Sequence, residues 1–169
     1  MSGHSKWSQI KHKKAITDKK KGQVFSRLSK LITIAAKNGS DPEKNQNLGQ
    51  VIARARAENI PKDTIERAIK KADEKNADKL KEIAVEALAP GGIAIKIRAI
   101  TDNRNRTIAE LRKILGDHQA KMVHPNSIDW MFSSERIEIR DIETAAKIEA
   151  LFNILDEHDD VEDVIDNMQ

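Results

Sequence analysis

The stretch IAVEALAPGGIAIKIRAIT, residues 83–101, decides the fold of the second half of this chain. Apolar residues occupy every second position on both sides of Pro90-Gly91-Gly92, namely Ile83, Val85, Ala87, Ile93, Ile95 and Ile97. Side chains alternate between the two faces of a strand, so apolar residues at every second position lie on one face. A Pro-Gly-Gly segment is typical of a turn. The stretch therefore predicts a β-hairpin with one apolar face.

The residues after the hairpin predict a mixture of helices and strands. Short apolar alternations indicate strands at residues 128–132, 137–139 and 161–165. One helix is predicted to begin at Thr107, because Thr107 and Glu110 have the spacing of a capping box, and a second over residues 148–155. The order β-β-α-β-(β)-α-β predicts an α+β sandwich over residues 82–169, with helices on one face of a sheet.

Before the hairpin the apolar pattern has the period of a helix. Three amphipathic segments begin near Val24, at Asp41-Pro42 and at Pro61. In the second, Asp41 is predicted to be the N-cap, with Pro42 at the first helical position. Together they predict an N-terminal three-helix domain over residues 24–75. A charged linker, residues 76–81, is predicted to join it to the sandwich.

The first 23 residues are predicted to form a flexible basic arm, because they hold seven lysines and too little apolar surface to offset the entropy of ordering.

The charge is uneven along the whole chain. Residues 1–75 carry 18 Lys and Arg against 8 Asp and Glu, whereas residues 76–169 carry 12 against 19. This asymmetry favours a front half that binds a polyanion, and nucleic acid is the commonest one inside cells. A solubilising tail is the alternative.

Two stretches are candidate nucleic-acid-binding sites: the arm with the helix after it, and residues 101–107. The candidate residues are Lys6, Trp7, Lys11, His12, Lys13, Lys14, Lys19, Lys20, Lys21, Arg27, Lys30, Asn103, Arg104, Asn105 and Arg106. Trp7 either stacks on a base or docks on the helical domain. Arg104 and Arg106 either hold a phosphate or base edge at a helix N-terminus, or pair with nearby carboxylates. The residues alone leave these alternatives open.

Composition disfavours other classes of function. The chain of 169 residues contains no cysteine, which excludes disulfides and thiolate metal sites and suits a reducing compartment. Its five histidines are not spaced to place two ligands on one helical face, and we expect His118 and His124 to be exposed loop residues. We find no phosphate-binding glycine loop and no nucleophile motif. The sequence therefore predicts no catalytic residues, no metal and no cofactor.

The longest uncharged apolar run, residues 31–36, is far shorter than the ~20 residues that span a bilayer. We therefore predict a cytoplasmic protein that does not bind membranes.

After Lys147 the chain carries no Lys or Arg. The acidic residues near the C-terminus are Asp156, Glu157, Asp159, Asp160, Glu162, Asp163 and Asp166. They are interpreted as a solvated acidic face or as a mimic of a nucleic-acid backbone, and such a face offers a surface for a basic protein partner.

Five motifs occur in the order in which a known family carries them. They are residues 3–7 with 10–14, residues 59–63 with 65–71, residues 90–92, residues 101–107 and residues 130–132. The chain resembles the YebC-type family of probable transcriptional regulators and translational activators. Members of that family usually carry a third domain inserted after the Trp-Met-Phe segment, and residues 133–140 replace it here. The resemblance therefore implies a short, two-domain member.

The resemblance further implies a non-enzymatic, cytoplasmic regulator of gene expression. We favour a ribosome- or RNA-associated translation factor that helps synthesis through difficult sequences such as proline runs. This preference has a physical reason, because we find no recognition helix whose side chains would read bases from a two-fold dimer. A DNA-binding transcriptional regulator is the first alternative. A protein-interaction adaptor that uses the acidic C-terminal face is the second.

Overall fold

The structure, a computed structural model, describes residues 18–74, 79–134 and 136–169, with side chains from Lys20 onward. The described residues form two compact units. The helical unit comprises residues up to 82 together with 100–103, and the α+β unit comprises residues 83–99 and those from 104 onward. None of the helices in these ranges is both long enough and apolar enough to cross a bilayer.

The helical unit consists of three helices, as predicted. These are α1 (Asp18–Ala36), α2 (Gln46–Ala57) and α3 (Lys62–Lys70), and α3 continues into one 3₁₀ turn, Lys71–Asp73. Their inward faces share one core, formed by Leu28, Ile32, Ala35, Leu48, Ile52, Ala55, Ile60, Ile65 and Ala68. Helix α1 begins six residues before the apolar stripe that starts at Val24. Residues 18–23, assigned to the flexible arm from their composition, are therefore helical.

Asn45, rather than Asp41, caps the start of α2. The side chain of Asn45 accepts a hydrogen bond from the Leu48 N–H at 3.1 Å. It also donates to the carbonyls of Ala35 and Gly39, both at 2.8 Å. The carboxylate of Asp41 accepts only within the preceding turn. The cap prediction was wrong here because Asn45 both caps α2 and ties it to the end of α1, a long-range role that a local pattern does not reveal.

The α+β unit is built on a four-stranded sheet. Its elements are β1 (Lys81–Ala89), β2 (Ile93–Thr101), α4 (Arg104–Asp117), β3 (Lys121–Met122), α5 (Asp129–Ser133), α6 (Ile142–Glu157) and β4 (Val161–Asp166). The strand order is β3-β1-β2-β4. The hairpin prediction is confirmed, and its turn contains Gly91 and Gly92 with φ of +77° and +76°. Glycine adopts such angles without steric cost.

One face of the sheet carries the core. Ile93, Ile95 and Ile97 of β2 pack with Leu111 and Leu115 of α4 and with Leu151, Phe152 and Leu155 of α6. Strand β4 pairs antiparallel with β2, and a bulge interrupts the register between Arg98 and Ala99. Lys96 alternates with these isoleucines, so it lies on the opposite face. Its contacts with α5 show that this second face is also partly covered.

Two of the predicted strands are absent from their expected positions. Residues 129–133 form the short helix α5, with Ile128 buried before it and Trp130 exposed on it. Ile137 makes one isolated bridge to Met168 instead of a strand. The prediction of strands was wrong because three alternating apolar residues are too few to separate a strand from one turn of helix. The short strand β3 supplies the fourth member of the sheet instead.

The C-terminal carboxylates do not form one solvated acidic face. Asp160, Glu162 and Asp166 are only 6%, 7% and 5% exposed. They lie at or next to β4, an outer strand of the sheet that packs into the core. The composition of the segment did not show this, because burial depends on which groups face the carboxylates in the folded chain.

Candidate nucleic-acid interface

The predicted contacts of the basic arm lie largely outside the described residues. Lys6, Trp7, Lys11, His12, Lys13 and Lys14 fall there, as does the side chain of Lys19. On α1, Lys21 is exposed and Lys20 and Lys30 are half-buried. Arg27 is only 6% exposed, so the structure contradicts its prediction as a surface phosphate contact. Its position on the inner side of α1 follows from helical geometry, because Leu28 and Leu31 flank it in the apolar stripe.

Lys30 lines a cavity of about 480 Å³ in the helical unit. Lys71 lies on the same wall, but so do Glu74 and Asp102. Cations and carboxylates therefore balance one another here. This cavity lacks the excess of positive charge that a polyanion site needs.

The segment predicted as a binding loop is already helical. Helix α4 begins at Arg104, so Thr107 is not its N-cap. Thr107 is fully buried, and its hydroxyl donates to the carboxylate of Asp160 at 2.7 Å. Asn103 and Asn105 are exposed, and the Asn103 N–H donates to the Thr101 hydroxyl at 2.9 Å. The capping-box prediction was wrong because the helix starts three residues earlier.

The two arginines of this segment have different surroundings. The guanidinium of Arg106 lies 2.8 Å from the buried carboxylate of Asp160 and 4.0 Å from that of Glu110. Residues two apart on a helix lie about 200° apart around its axis, so Arg104 lies on the other side of α4. For Arg106 the carboxylate-pairing alternative is therefore the observed one, although Asp160 is 54 residues away in sequence. Arg104 is the arginine that faces a cavity.

That cavity, which we call the basic groove, has a volume of about 590 Å³. Arg104, Ile108 and Arg112 form one wall, because a spacing of four residues places them on one side of α4. The remaining lining residues are Ala84, Val85, Glu86, Lys121, Met122, Val123, His124, Pro125 and Ser127. Arg104 and Arg112 are about 12 Å apart along the helix axis, a length that accommodates more than one phosphate of a nucleic-acid strand.

The shortness of β3 opens the groove. Strand β3 pairs with β1 only at Ala87 and Leu88, after which the Val123 N–H donates to the Glu86 carbonyl at 2.9 Å. The chain then leaves the edge of β1 at His124. The His124 carbonyl accepts from both the N–H and the hydroxyl of Ser127, at 3.2 and 2.6 Å, which closes a tight turn. The edge of β1 at residues 84–86 thereby becomes part of the groove.

The groove is electropositive. Arg104, Arg112 and Lys121 are all exposed, and none of them forms an ion pair within the ranges that the structure describes. Lys113, which lies on the same helix but outside the groove, is paired with Asp117 at 2.6 Å. Glu86 is the one carboxylate among the lining residues, and its charge is compensated by Lys96 at 3.0 Å. Unpaired cations around a concavity attract anions.

Lys96 connects the floor of the groove to helix α5. Its ammonium group binds Glu86 and the carboxylate of Asp129, and lies 5.4 Å from the centre of the Phe132 ring. The hydrogen bond to Asp129 raises the pKa of Lys96, and burial partly opposes that rise. The same bond lowers the pKa of Asp129. These contacts hold α5 against the second face of the sheet.

One group of described side chains has the proximity of metal ligands. Ligand atoms of Glu110, His158 and Asp160 all lie within 4.8 Å of one another. The backbone N–H of Asp160, however, donates to Nδ1 of His158, so the ring proton is at Nε2, which lies 3.1 Å from Glu110. The carboxylate of Asp160 already accepts from Arg106 and Thr107. The arrangement is that of a hydrogen-bonded cluster, in which no ring nitrogen is left to bind a cation.

Sequence reasoning missed Arg112, Lys121 and His124 as groove residues. The spacing of Arg104, Ile108 and Arg112 on a predicted helix was a signal that could have identified Arg112. No local signal identifies Lys121 or His124, because they join the groove through the pairing of β3 with β1.

Two family models match the chain. The model described as the TACO1/YebC protein N-terminal domain matches residues 5–75. The model described as the TACO1/YebC second and third domain matches residues 80–137. Together they match more than half of the chain, and residues 138–169, which include α6 and β4, lie outside both matches.

Curated relatives and a solved structure are similar over most of the chain. A probable transcriptional regulatory protein of Koribacter versatilis is 45% identical over all of this chain and 69% of its own length. One of Thermosipho africanus is 48% identical over 81% of this chain and 55% of its own length. The crystal structure of a conserved hypothetical protein from Aquifex aeolicus superimposes with a TM-score of 0.87 and 29% identity, covering 98% of this chain and 97% of that one. The chain spans little more than half the length of several such relatives.

Proposed function

Because this chain belongs to the TACO1/YebC family, we propose that it regulates gene expression by binding nucleic acid in the cytoplasm, without catalysis. RNA of the translation machinery is its proposed target. The proposal is supported by the basic groove, in which Arg104, Arg112 and Lys121 surround one concavity without carboxylate partners among the described residues. Phosphates that these cations neutralise would release condensed counterions, which favours binding.

The shape of the groove supports RNA over duplex DNA as the target. Its walls are one face of α4 and a tight turn, and its floor is a strand edge. A recognition helix must protrude to enter a major groove, whereas the cations of α4 lie inside a concavity. Extended single strands and irregular RNA enter concavities of this kind. The lysines of the arm are proposed to add sequence-independent contacts to the same target.

A DNA-binding transcriptional regulator is the second candidate. It is favoured by one observation, that the curated relatives are named probable transcriptional regulatory proteins. In this case α4 and the arm would contact the phosphates of a duplex.

Salt-dependent binding tests the proposal. The affinity of the full chain for purified ribosomes, a single-stranded RNA and a duplex DNA of equal charge would be measured between about 50 and 200 mM salt, the range over which phosphate contacts dominate. Arg104→Gln, Arg112→Gln and Lys121→Gln are each expected to flatten the plot of log K against log salt by about 0.7–0.9 for every phosphate that the variant no longer neutralises. Lys113→Gln is the matched control, because Lys113 lies on α4, is paired with Asp117 and does not line the groove.

The outcomes distinguish the candidates. A preference for ribosomes or RNA, weakened by the three groove variants and not by Lys113→Gln, supports the proposal. A preference for duplex DNA with the same pattern supports the transcriptional candidate instead. Groove variants that bind as the parent does, with an unchanged salt slope, would show that the groove is not the interface.

A further inference from the structure

Trp130 is exposed where a large aromatic side chain is usually covered. Its side chain is 67% exposed, although the rest of α5 is well anchored. Ile128 before it is buried, Asp129 is bound to Lys96, and the Ser134 hydroxyl donates to the Trp130 carbonyl at 2.8 Å. The ring is thus presented outward from a fixed backbone. Single exposed apolar residues are common, but Trp is enriched where proteins bind partners.

Trp130 lies next to the basic groove along the chain. Ser127, which lines the groove, is three residues earlier, so the two Cα atoms are at most about 11 Å apart. The other aromatic ring of α5, Phe132, is engaged by the ammonium group of Lys96. Trp130 is therefore the ring of α5 that remains open to a ligand leaving the groove.

We infer that Trp130 is a stacking platform for an unpaired base of single-stranded RNA whose phosphates lie in the basic groove. The inference rests on the proposed function and adds to it the chemistry of the ligand. Proteins that bind single strands combine a cationic groove with an aromatic ring on which a base stacks. Bases in a duplex are stacked on one another and do not offer a free face, so the ligand is single-stranded.

Charge favours this occupant over a protein. Arg104, Arg112 and Lys121 have no ion-pair partner within the described ranges. A nucleic-acid strand whose phosphates pair with these cations also carries uncharged bases, one of which can contact the Trp130 ring. An apolar protein segment would cover Trp130 but leave these cations desolvated and unpaired.

Fluorescence provides the test, because the chain contains only two tryptophans, Trp7 and Trp130. Emission would be recorded in the Trp7→Phe background, so that it reports Trp130 alone. The affinities of the Trp130 variants, which hold no tryptophan in that background, would be measured in parallel with the parent from the anisotropy of a dye-labelled RNA. The full chain would be titrated with an oligoadenylate RNA of about 12 nucleotides, a length within the site sizes of single-strand-binding folds, and with an abasic oligomer of the same length and charge. We expect the oligoadenylate to quench Trp130 emission and the abasic oligomer to bind more weakly without quenching it.

Substitutions then separate stacking from apolar contact. Trp130→Ala and Trp130→Leu are expected to weaken oligoadenylate binding about 5- to 150-fold, the range of base–aromatic stacking, with the salt slope unchanged. Trp130→Phe keeps a ring and should retain most of the affinity. Ile142→Ala is the matched control, because Ile142 is 86% exposed in the same unit and does not line the groove. Melting curves would show that each variant is folded.

Several results would overturn the inference. Equal quenching by the abasic oligomer would mean that the change in emission does not come from a base. Full affinity in Trp130→Leu would point to a protein-type apolar contact rather than stacking. Unchanged affinity in Trp130→Ala together with weaker binding in Arg104→Gln would refute the role of Trp130 and leave the proposed function intact. If the parent protein binds neither ribosomes nor RNA, both fail.

Discussion

Arg104 and Arg106 occupy the same turn of α4 but have different surroundings, because Arg106 is paired with buried Asp160 whereas Arg104 lines the basic groove. Replacing Arg106 with Gln removes the cationic donor to Asp160, a carboxylate that is only 6% exposed. Breaking a buried ion pair costs about 3–5 kcal/mol. The side chain of Arg106 is itself 44% exposed, and Thr107 still donates to Asp160, so solvent and the remaining bond offset part of this cost. We expect a destabilisation of about 1–3 kcal/mol, the cost of removing the hydrogen-bond partner of a buried polar group.

For a unit of this size, about 2 kcal/mol lowers Tm by roughly 8–16 °C. Differential scanning calorimetry is the appropriate assay, because the two units need not unfold in a single transition. Arg104→Gln is the control. Arg104 is exposed and has no ion pair within the described part of the chain, so its replacement should change stability by no more than about 0.5 kcal/mol. This variant should instead weaken nucleic-acid binding.

A double-mutant cycle with Asp160→Asn isolates the pair. A coupling energy of about 0.5–3 kcal/mol between Arg106→Gln and Asp160→Asn is expected if the two groups interact as described. A coupling near zero would refute the structural role of Arg106. Equal decreases of stability in Arg104→Gln and Arg106→Gln would refute the distinction between the two arginines.

Three further predictions concern stability. Phe152→Ala should destabilise the α+β unit by about 3–5 kcal/mol in urea unfolding, because Phe152 on α6 is fully buried in the core that α6 shares with the sheet; a decrease below about 1 kcal/mol would mean that this core is loosely packed. Gly91→Ala should lower Tm more than Gly92→Ala does. Both glycines have positive φ, but a Cβ at Gly91 would lie 3.0 Å from the Thr144 methyl group and 3.2 Å from Ile139, whereas one at Gly92 meets nothing within 4 Å. Equal Tm shifts would contradict this packing. The pKa of Asp129 is lowered by Lys96 and that of Asp141 by the Thr144 hydroxyl, so their contributions to stability are complete above the ordinary value of 3.8 and are lost as pH falls toward the lower folded pKa. Acid unfolding of Asp129→Asn and Asp141→Asn should therefore depend less steeply on pH than that of the parent, and unchanged slopes would count against both contacts.

The sequence by itself determined the elements in which an apolar pattern repeats over many neighbouring residues. The hairpin of residues 83–101 was predicted because alternation over two long strands is broken by a Pro-Gly-Gly turn. The three helices of the first half were predicted because each repeats apolar residues at helical spacing. The family followed from five ordered motifs, and charge asymmetry indicated a polyanion. These properties reside in neighbouring residues and need no knowledge of long-range contacts.

Tertiary structure alone decided which charged residues belong to a surface. Arg106 and Thr107 both bind Asp160, which is more than 50 residues away in sequence. The basic groove exists only because β3 pairs briefly with β1 and then leaves its edge, bringing Lys121 opposite Arg104 and Arg112. Helix α5 is held against the sheet by Lys96, a strand residue that binds Asp129. A partner distant in sequence therefore sets whether a charge such as that of Arg106 is paired. The energy of an ion pair depends on the distance in space between the two charges and on their burial, which local composition does not fix.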